Sequence, residues 1–327
     1  MPAPWARVLL LLVATASLSA QAPARAADLQ QTEIASSLDQ TPQPLRYFAP
    51  ENPETPIPLL VVLHTWSGDY RQAGFIEDCF QQSVSRGWAL IHPQFRGPNI
   101  RPEAGGSNLA VQDVLDAVDW ISRQTRIDPR RIYLVGASGG GHMTLLMAGR
   151  HPERWAAASA WVPIADLAAW HAESVTRKQR YAEDVQKLCG GVPGASAQVD
   201  AEYRNRSPLT WLPRAKNVPL DIEAGIHDGH TGSVPVSHSL NAFNVLAVAV
   251  GKPDLQFADA DIRCIVQEQR VPESLAFRGE SPTVRKHKIL LQRSAGPARV
   301  TLFEGGHEGD MAAAIDWLAG HQKSVER

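Results

Sequence analysis

The feature that most constrains this chain is a short turn, Gly136-Ala137-Ser138-Gly139-Gly140. It lies between a strand-like run, Arg131–Val135 (RIYLV), and a helix-like run, Gly140–Arg150. Glycines packed this closely around a serine suit a sharp strand-to-helix corner, because no Cβ keeps the two backbones apart. Such a corner lifts the serine hydroxyl above the sheet edge, over the N-terminus of the next helix. The rest of the chain must then supply a sheet whose strands are followed by helices.

The flanking sequence has that pattern. Leu59–His64 (LLVVLH) is a continuous apolar run, as expected of a strand covered on both faces. Helical spacing follows over Ala73–Arg86, then a strand at Trp88–His92 (WALIH). Leu109–Gln124 carries Val111, Leu115, Val118 and Ile121 at intervals of three and four, which predicts an amphipathic helix. Trp155–Trp161 reads as a strand, and the order predicts a mostly parallel sheet with helices on both faces. The alternation breaks over residues 166–216, which are polar and include the Gly/Pro-rich Cys189–Ser196. It resumes with a strand at Val218–Ala224, a helix near His238–Val250, a strand at Val300–Phe303 and a helix over Asp310–His321. A second polar excursion is expected over residues 252–296. The first reads as a lid above the strand ends, with Trp170, Tyr181, Tyr203 and Trp211 among many charges. Residues 28–327 are expected to form a single domain.

Residues 1–27 read as an export signal. Arg7 precedes a short apolar run, Val8–Leu18, and Ala24-Arg25-Ala26 fits a small-x-small cleavage site, with Ala20 as an earlier one. The run is too short to span a bilayer. A secreted or periplasmic protein is expected, free of the membrane after cleavage. The net charge of -2 provides no basic field for nucleic acid, and 44% hydrophobic residues suffice for an ordinary core. Cys79, Cys189 and Cys264 make an odd number, so at least one is a free thiol or bonds another molecule. Their wide spacing fits no metal site, and each is expected to be a small buried hydrophobe. No metal or nucleotide cofactor motif occurs, and oligomeric state is left open.

A serine hydroxyl needs a base to attack at neutral pH. His307, in Phe303-Glu304-Gly305-Gly306-His307-Glu308, follows the last predicted strand and precedes the last helix. Open α/β sheets place working groups at that end of their strands. His142 and His151 fall in or just after the helix behind Ser138 and look structural. Asp228, in the loop after Val218–Ala224, is the expected acid, giving the chain order Ser138, Asp228, His307. Asp166 is the alternative acid, and Asp221 lies inside a strand, facing away. The expected oxyanion donors are the backbone N–H groups of Gly139 and of Trp66, in the loop after LLVVLH. His230, Trp170 and Trp211 are candidate substrate contacts, and Trp161 is a further aromatic near the strand ends.

Residues 56–322 resemble the catalytic domain of the prolyl oligopeptidase family of serine hydrolases. The resemblance rests chiefly on Ile127-Asp128-Pro129-Arg130-Arg131-Ile132 and the run Gly136 to His142. Phe95-Arg96-Gly97, Asp113-Val114, Asp228 with Val234-Pro235, and Gly305-Gly306-His307 support it. It implies an α/β-hydrolase fold and a triad of Ser138, Asp228 and His307. Three departures stand out. The stretch before the first strand is too short for the family's propeller. The loop from Gly229 to Ser233 is longer than usual, and His64-Thr65 replaces the usual His-Gly.

Compact exported relatives of this kind look like esterases, including those that deacylate plant polysaccharides. The leading expectation is a carboxylic-ester hydrolase acting through an acyl-enzyme on a small or carbohydrate ester. A compact serine peptidase is the second, and a catalytically idle binding domain the third. An intact set of serine, acid and histidine argues against the last.

Overall fold

A computed structural model describes Met1, residues 28–280 and residues 284–324. The expected export signal lies almost wholly outside them. The strands are β1 (Gln30–Ala35), β2 (Pro42–Phe48), β3 (Ile57–Leu63), β4 (Ala89–Pro93), β5 (Ile127–Ala137), β6 (Ala157–Trp161), β7 (Leu220–Gly225), β8 (Ile289–Ala295) and β9 (Ala298–Phe303). The helices are α1 (Phe75–Arg86), α2 (Asn108–Gln124), α3 (Gly139–Arg150), α4 (Leu167–Thr176), α5 (Tyr181–Cys189), α6 (Ala197–Arg206), α7 (Pro208–Trp211), α8 (Ser237–Ala249), α9 (Asp259–Glu268) and α10 (Met311–Ala319).

All nine strands join one sheet in the order β1-β2-β4-β3-β5-β6-β7-β9-β8. The central strands from β4 to β9 run parallel, while β1, β2 and β8 are antiparallel to their neighbours. Every residue of β3 is buried, as its unbroken apolar run predicts. Leu60 and Val62 pack with α1 and α10 on one face. Leu59, Val61 and Leu63 pack with α2, α3 and α8 on the other. Ser107 caps α2 by accepting from the Ala110 N–H at 3.0 Å.

Three strands depart from the sequence reading. β1 and β2 precede the first strand expected, and β8 lies inside the stretch read as polar excursion. β1 and β8 are the sheet edges, where exposed positions dilute the apolar signal.

Residues 166–216 fold into α4 to α7 and cover the strand ends beside Ser138. Their small core, including Leu167, Trp170, Val185, Leu188 and Tyr203, is completed by Trp66, Ala104 and Val234 from outside the segment. It is fastened at several points. Arg206 donates to the carbonyls of Ala104 (2.7 Å) and Pro102 (2.8 Å). Trp170 Nε1 donates to the Ser233 carbonyl at 2.9 Å, and within the segment the Leu167 N–H donates to Ser207 Oγ at 2.9 Å.

Below the strand ends, Glu223 of β7 is fully buried and pairs with Arg285 at 2.5 Å. Asp221, also on β7, pairs with Arg299 at 2.9 Å. Burial and the neighbouring Asp221 raise the Glu223 pKa well above the usual carboxylate range, against the pull of Arg285.

Candidate active site

Ser138 sits at the corner between β5 and α3 with φ 58° and ψ -119°. This is the left-handed region that a residue with a Cβ seldom adopts. The corner is locked from both sides. The Ser138 N–H donates to the Trp161 carbonyl at 2.9 Å, and the His142 N–H donates to the Ser138 carbonyl at 2.8 Å. A Cβ on Gly139 would collide with the backbone nitrogen of Trp66, which brings the first residue of α3 against the loop after β3. Gly139 begins α3, so its N–H has no acceptor within the helix. Neither it nor the Trp66 N–H has a hydrogen-bond partner among the described residues. Two free donors side by side next to a serine are the elements of an anion-binding pair.

The Trp66 loop is braced from behind. His64 is fully buried, its ring stacked on Phe95 with centroids 3.8 Å apart. Its Nδ1 and Nε2 lie 2.9 Å and 2.7 Å from the carbonyls of Thr65 and Gln94. Burial lowers its pKa.

His307 follows β9, and its Nδ1 lies 2.7 Å from Asp228 Oδ2. Asp228 follows β7 and is 2% exposed. Its Oδ1 accepts from the N–H groups of Gly229 (2.8 Å) and Val234 (3.2 Å). The adjacent loops are stitched together where the His227 N–H donates to the Gly305 carbonyl at 3.0 Å. The His227 ring adds a second tie, with Nε2 2.8 Å from Glu304 Oε1 and Nδ1 2.9 Å from Gln269 Oε1. These acceptors, Glu304 foremost, raise its pKa. The long loop after Asp228 returns over the pair, where a Cβ on Gly232 would strike both Asp228 and His307.

Ser138 and His307 line one cavity of about 340 Å³. Thr65, Trp66 and Ser67 contribute from the loop after β3, Tyr181 from α5, and Phe75, Val162 and Met311 supply apolar wall. Glu308 stands at its edge, engaged by the Gly306 N–H (3.0 Å) and His287 Nε2 (3.1 Å). Sequence reading missed Phe75, Val162 and Met311. Phe75 and Met311 each begin a helix near the strand ends, and that position is the signal that was available.

Other expected residues take different places. Trp170 does not line the cavity but supports it, edge-on to Trp66 (4.6 Å) and stacked on Tyr181 (4.9 Å). Trp211 lies behind α3, against Gly149 and beneath the guanidinium groups of Arg150 and Arg214, so it is not a cavity residue. His230 turns away, its Nε2 2.6 Å from the Val266 carbonyl at α9. Trp161 is buried, its Nε1 donating to Ser159 Oγ at 3.0 Å. Asp166 caps α4 by accepting from Ala168 (2.8 Å) and Ala169 (3.1 Å). His142 is buried and donates from Nε2 to the Arg206 carbonyl, and burial lowers its pKa to about 4. All three cysteines are free: Cys79 and Cys189 are buried, and Cys264 is half-buried.

Comparison with known proteins agrees with this architecture. The model of the prolyl oligopeptidase family matches residues 100–261. The acylamino-acid-releasing enzyme of Rattus norvegicus is 24% identical over 217 residues, covering 60% of this chain and 27% of that enzyme. Acetylxylan esterase A of Emericella nidulans is 22% identical over 190 residues, covering 51% of this chain and 62% of the esterase. The chain thus spans about a quarter of the first relative's length and under two thirds of the second's. Among solved structures, a Mycobacterium tuberculosis puromycin-hydrolyzing peptidase superposes with a TM-score of 0.58 at 18% identity, covering 89% of this chain and 38% of that one. Residues 100–261 thus match the prolyl oligopeptidase family of serine hydrolases, and the chain around them has the α/β-hydrolase fold.

Proposed function

We propose that the protein is an exported carboxylic-ester hydrolase that works through an acyl-enzyme on Ser138. The observation carrying this reading is the 2.7 Å contact between His307 and Asp228 beside a cavity that His307 shares with Ser138. In this reading Ser138 Oγ attacks the ester carbonyl and His307 Nε2 takes its proton. Asp228 holds the Nδ1–H tautomer and stabilises the imidazolium. The oxyanion accepts hydrogen bonds from Gly139 and Trp66 N–H. Collapse expels the alcohol, which leaves with the proton from His307, and water then hydrolyses the acyl-enzyme by the same steps.

The small, largely apolar wall favours a compact acyl group over an extended peptide. The likeness to acetylxylan esterase A supports an acylated carbohydrate as substrate. The likeness to acylamino-acid-releasing enzymes favours the second reading, a compact serine peptidase. Export rests on Arg7, the apolar run Val8–Leu18 and Ala24-Arg25-Ala26.

The test is fluorophosphonate labelling followed by parallel assays on aryl acetates, acetylated xylan and N-acyl-peptide amides. Labelling of wild type but not of Ser138→Ala, with ester cleavage exceeding amide cleavage, is expected. Faster amide cleavage would establish the peptidase instead. Absence of labelling would leave a binding domain.

A further inference from the structure

The turn between α4 and α5 reads Arg177-Lys178-Gln179-Arg180, three cations within four residues. It lies immediately before Tyr181, which lines the cavity. Arg180 is exposed, and its Nη2 donates to Ser67 Oγ at 2.8 Å across the cavity mouth. Its guanidinium also lies 5.9 Å from the centre of the Tyr181 ring. Ser67 and Tyr181 are both wall residues, so the charge stands at the rim of the space in front of Ser138.

Ion pairing does not account for these cations. Among the described residues, none of the three forms an ion pair with a carboxylate, whereas Arg71, Arg86, Arg96 and Arg206 all do. The acids nearest in sequence are Glu173 and Glu183, and Glu173 is engaged by His238 Nε2 at 3.0 Å. Glu308, the carboxylate at the cavity edge, is engaged by His287 and Gly306. Arg177 adds to the case: its Nη1 is buried without a hydrogen-bond partner, its guanidinium lying against Gly229. A guanidinium that pairs with no carboxylate, at the mouth of a pocket walled by both apolar and polar side chains, offers planar paired donors to a carboxylate that arrives with the substrate.

We infer that Arg180, supported by the positive field of Arg177 and Lys178, is a recognition residue for substrates that carry a carboxylate a few bonds from the scissile carbonyl. This rests on the ester-hydrolase reading for the reaction but not for the binding. The group held is an acidic arm on either the acyl or the alcohol side.

The test compares matched neutral and anionic probes. On the acyl side these are 4-nitrophenyl butyrate and mono-4-nitrophenyl glutarate; on the alcohol side, phenyl butyrate and 3-carboxyphenyl butyrate. A neutral alkyl fluorophosphonate and its ω-carboxylate analogue are compared by the rate of Ser138 labelling. In Arg180→Gln, kcat/KM or labelling rate is expected to fall about 10-fold further for the anionic member of at least one pair than for the neutral member. Arg180→Lys should recover part of that preference, and added NaCl should erode it in wild type. Equal losses within every pair, including the labelling pair, would overturn the inference. If wild type labels but cleaves no ester, the ester reading falls while the labelling ratio still decides the role of Arg180.

Discussion

Asp228 and His307 meet through one carboxylate oxygen only: Oδ2 lies 2.7 Å from the imidazole Nδ1, and Oδ1 is occupied by the N–H groups of Gly229 and Val234. The carboxylate is thus fixed in rotation, and its remaining acceptor capacity points at the histidine. An amide at this position could turn either its oxygen or its NH₂ toward the ring, and its oxygen suits both Gly229 and Val234. Asp228→Asn should therefore place NH₂ against Nδ1, favour the wrong tautomer and lower kcat about 10³–10⁴-fold. Asp166→Asn, which alters only a helix cap, should change kcat little. Steady-state kinetics of the two variants check this ranking.

Gly139 tests the oxyanion pair. A methyl group there must displace the Trp66 backbone, because the two already touch. Gly139→Ala is expected to cost about 10²-fold or more in kcat while leaving the far-UV spectrum native. Kinetics and circular dichroism on one preparation give the answer, and retained turnover would remove Trp66 from the donor pair.

The two tryptophans of the cover should behave differently. Trp170 supports Tyr181 and Trp66 from behind, so Trp170→Ala should change the ratio of kcat/KM between a bulky and a small ester. Loss of its buried ring should also cost about 3–5 kcal/mol. Trp211 touches α3 and two arginines, far from the wall, so Trp211→Ala should leave the ratio as in the parent. An assay of both esters with both variants is decisive.

His227 couples the two loops that hold Asp228 and His307. Both ring nitrogens face acceptors, so the doubly protonated form is preferred and the folded-state pKa is raised. Its contribution to stability is fully present below the ordinary histidine value of about 6.5 and fades as pH rises through the folded value. The difference in Tm between wild type and His227→Asn should be largest near pH 5.5 and shrink on the alkaline side. A difference that grows with pH would reverse the assignment.

Arg285 is the 2.5 Å partner of Glu223, an acid with no access to water. Arg285→Met leaves Glu223 buried without its 2.5 Å partner and should cost about 3–5 kcal/mol. Glu223→Gln added to that background should recover part of the loss. Denaturant melts of the two variants measure both effects.

Much of this was legible because the central strands are covered on both faces. Leu59–His64 and Arg131–Val135 show buried strands as apolar runs, and the glycines around Ser138 mark a corner that needs them. His307 was legible from its place after a strand, and Asp228 for the same reason. Edge elements were not, because β1 and β8 alternate with solvent and β8 follows a polar stretch. Trp211 and His230 were misplaced for a different reason. Their sequence positions locate them near a strand end, but which side of the backbone a side chain leaves is set by tertiary partners, here α3 for Trp211 and α9 for His230. Phe75 and Met311 are ordinary apolar residues whose role comes only from standing first in their helices.

The anchors of Arg206 on the carbonyls of Ala104 and Pro102 have a kinetic consequence. With α6 tied to the loop before α2, and α4 to Ser233, the cover is held to the body of the domain at two separate places. At the cavity mouth the exposed Arg180 side chain is tied to Ser67 Oγ by one hydrogen bond and can move by a change of rotamer. That motion belongs to the picosecond-to-nanosecond range, far faster than the microsecond-to-millisecond closure of a hinged lid.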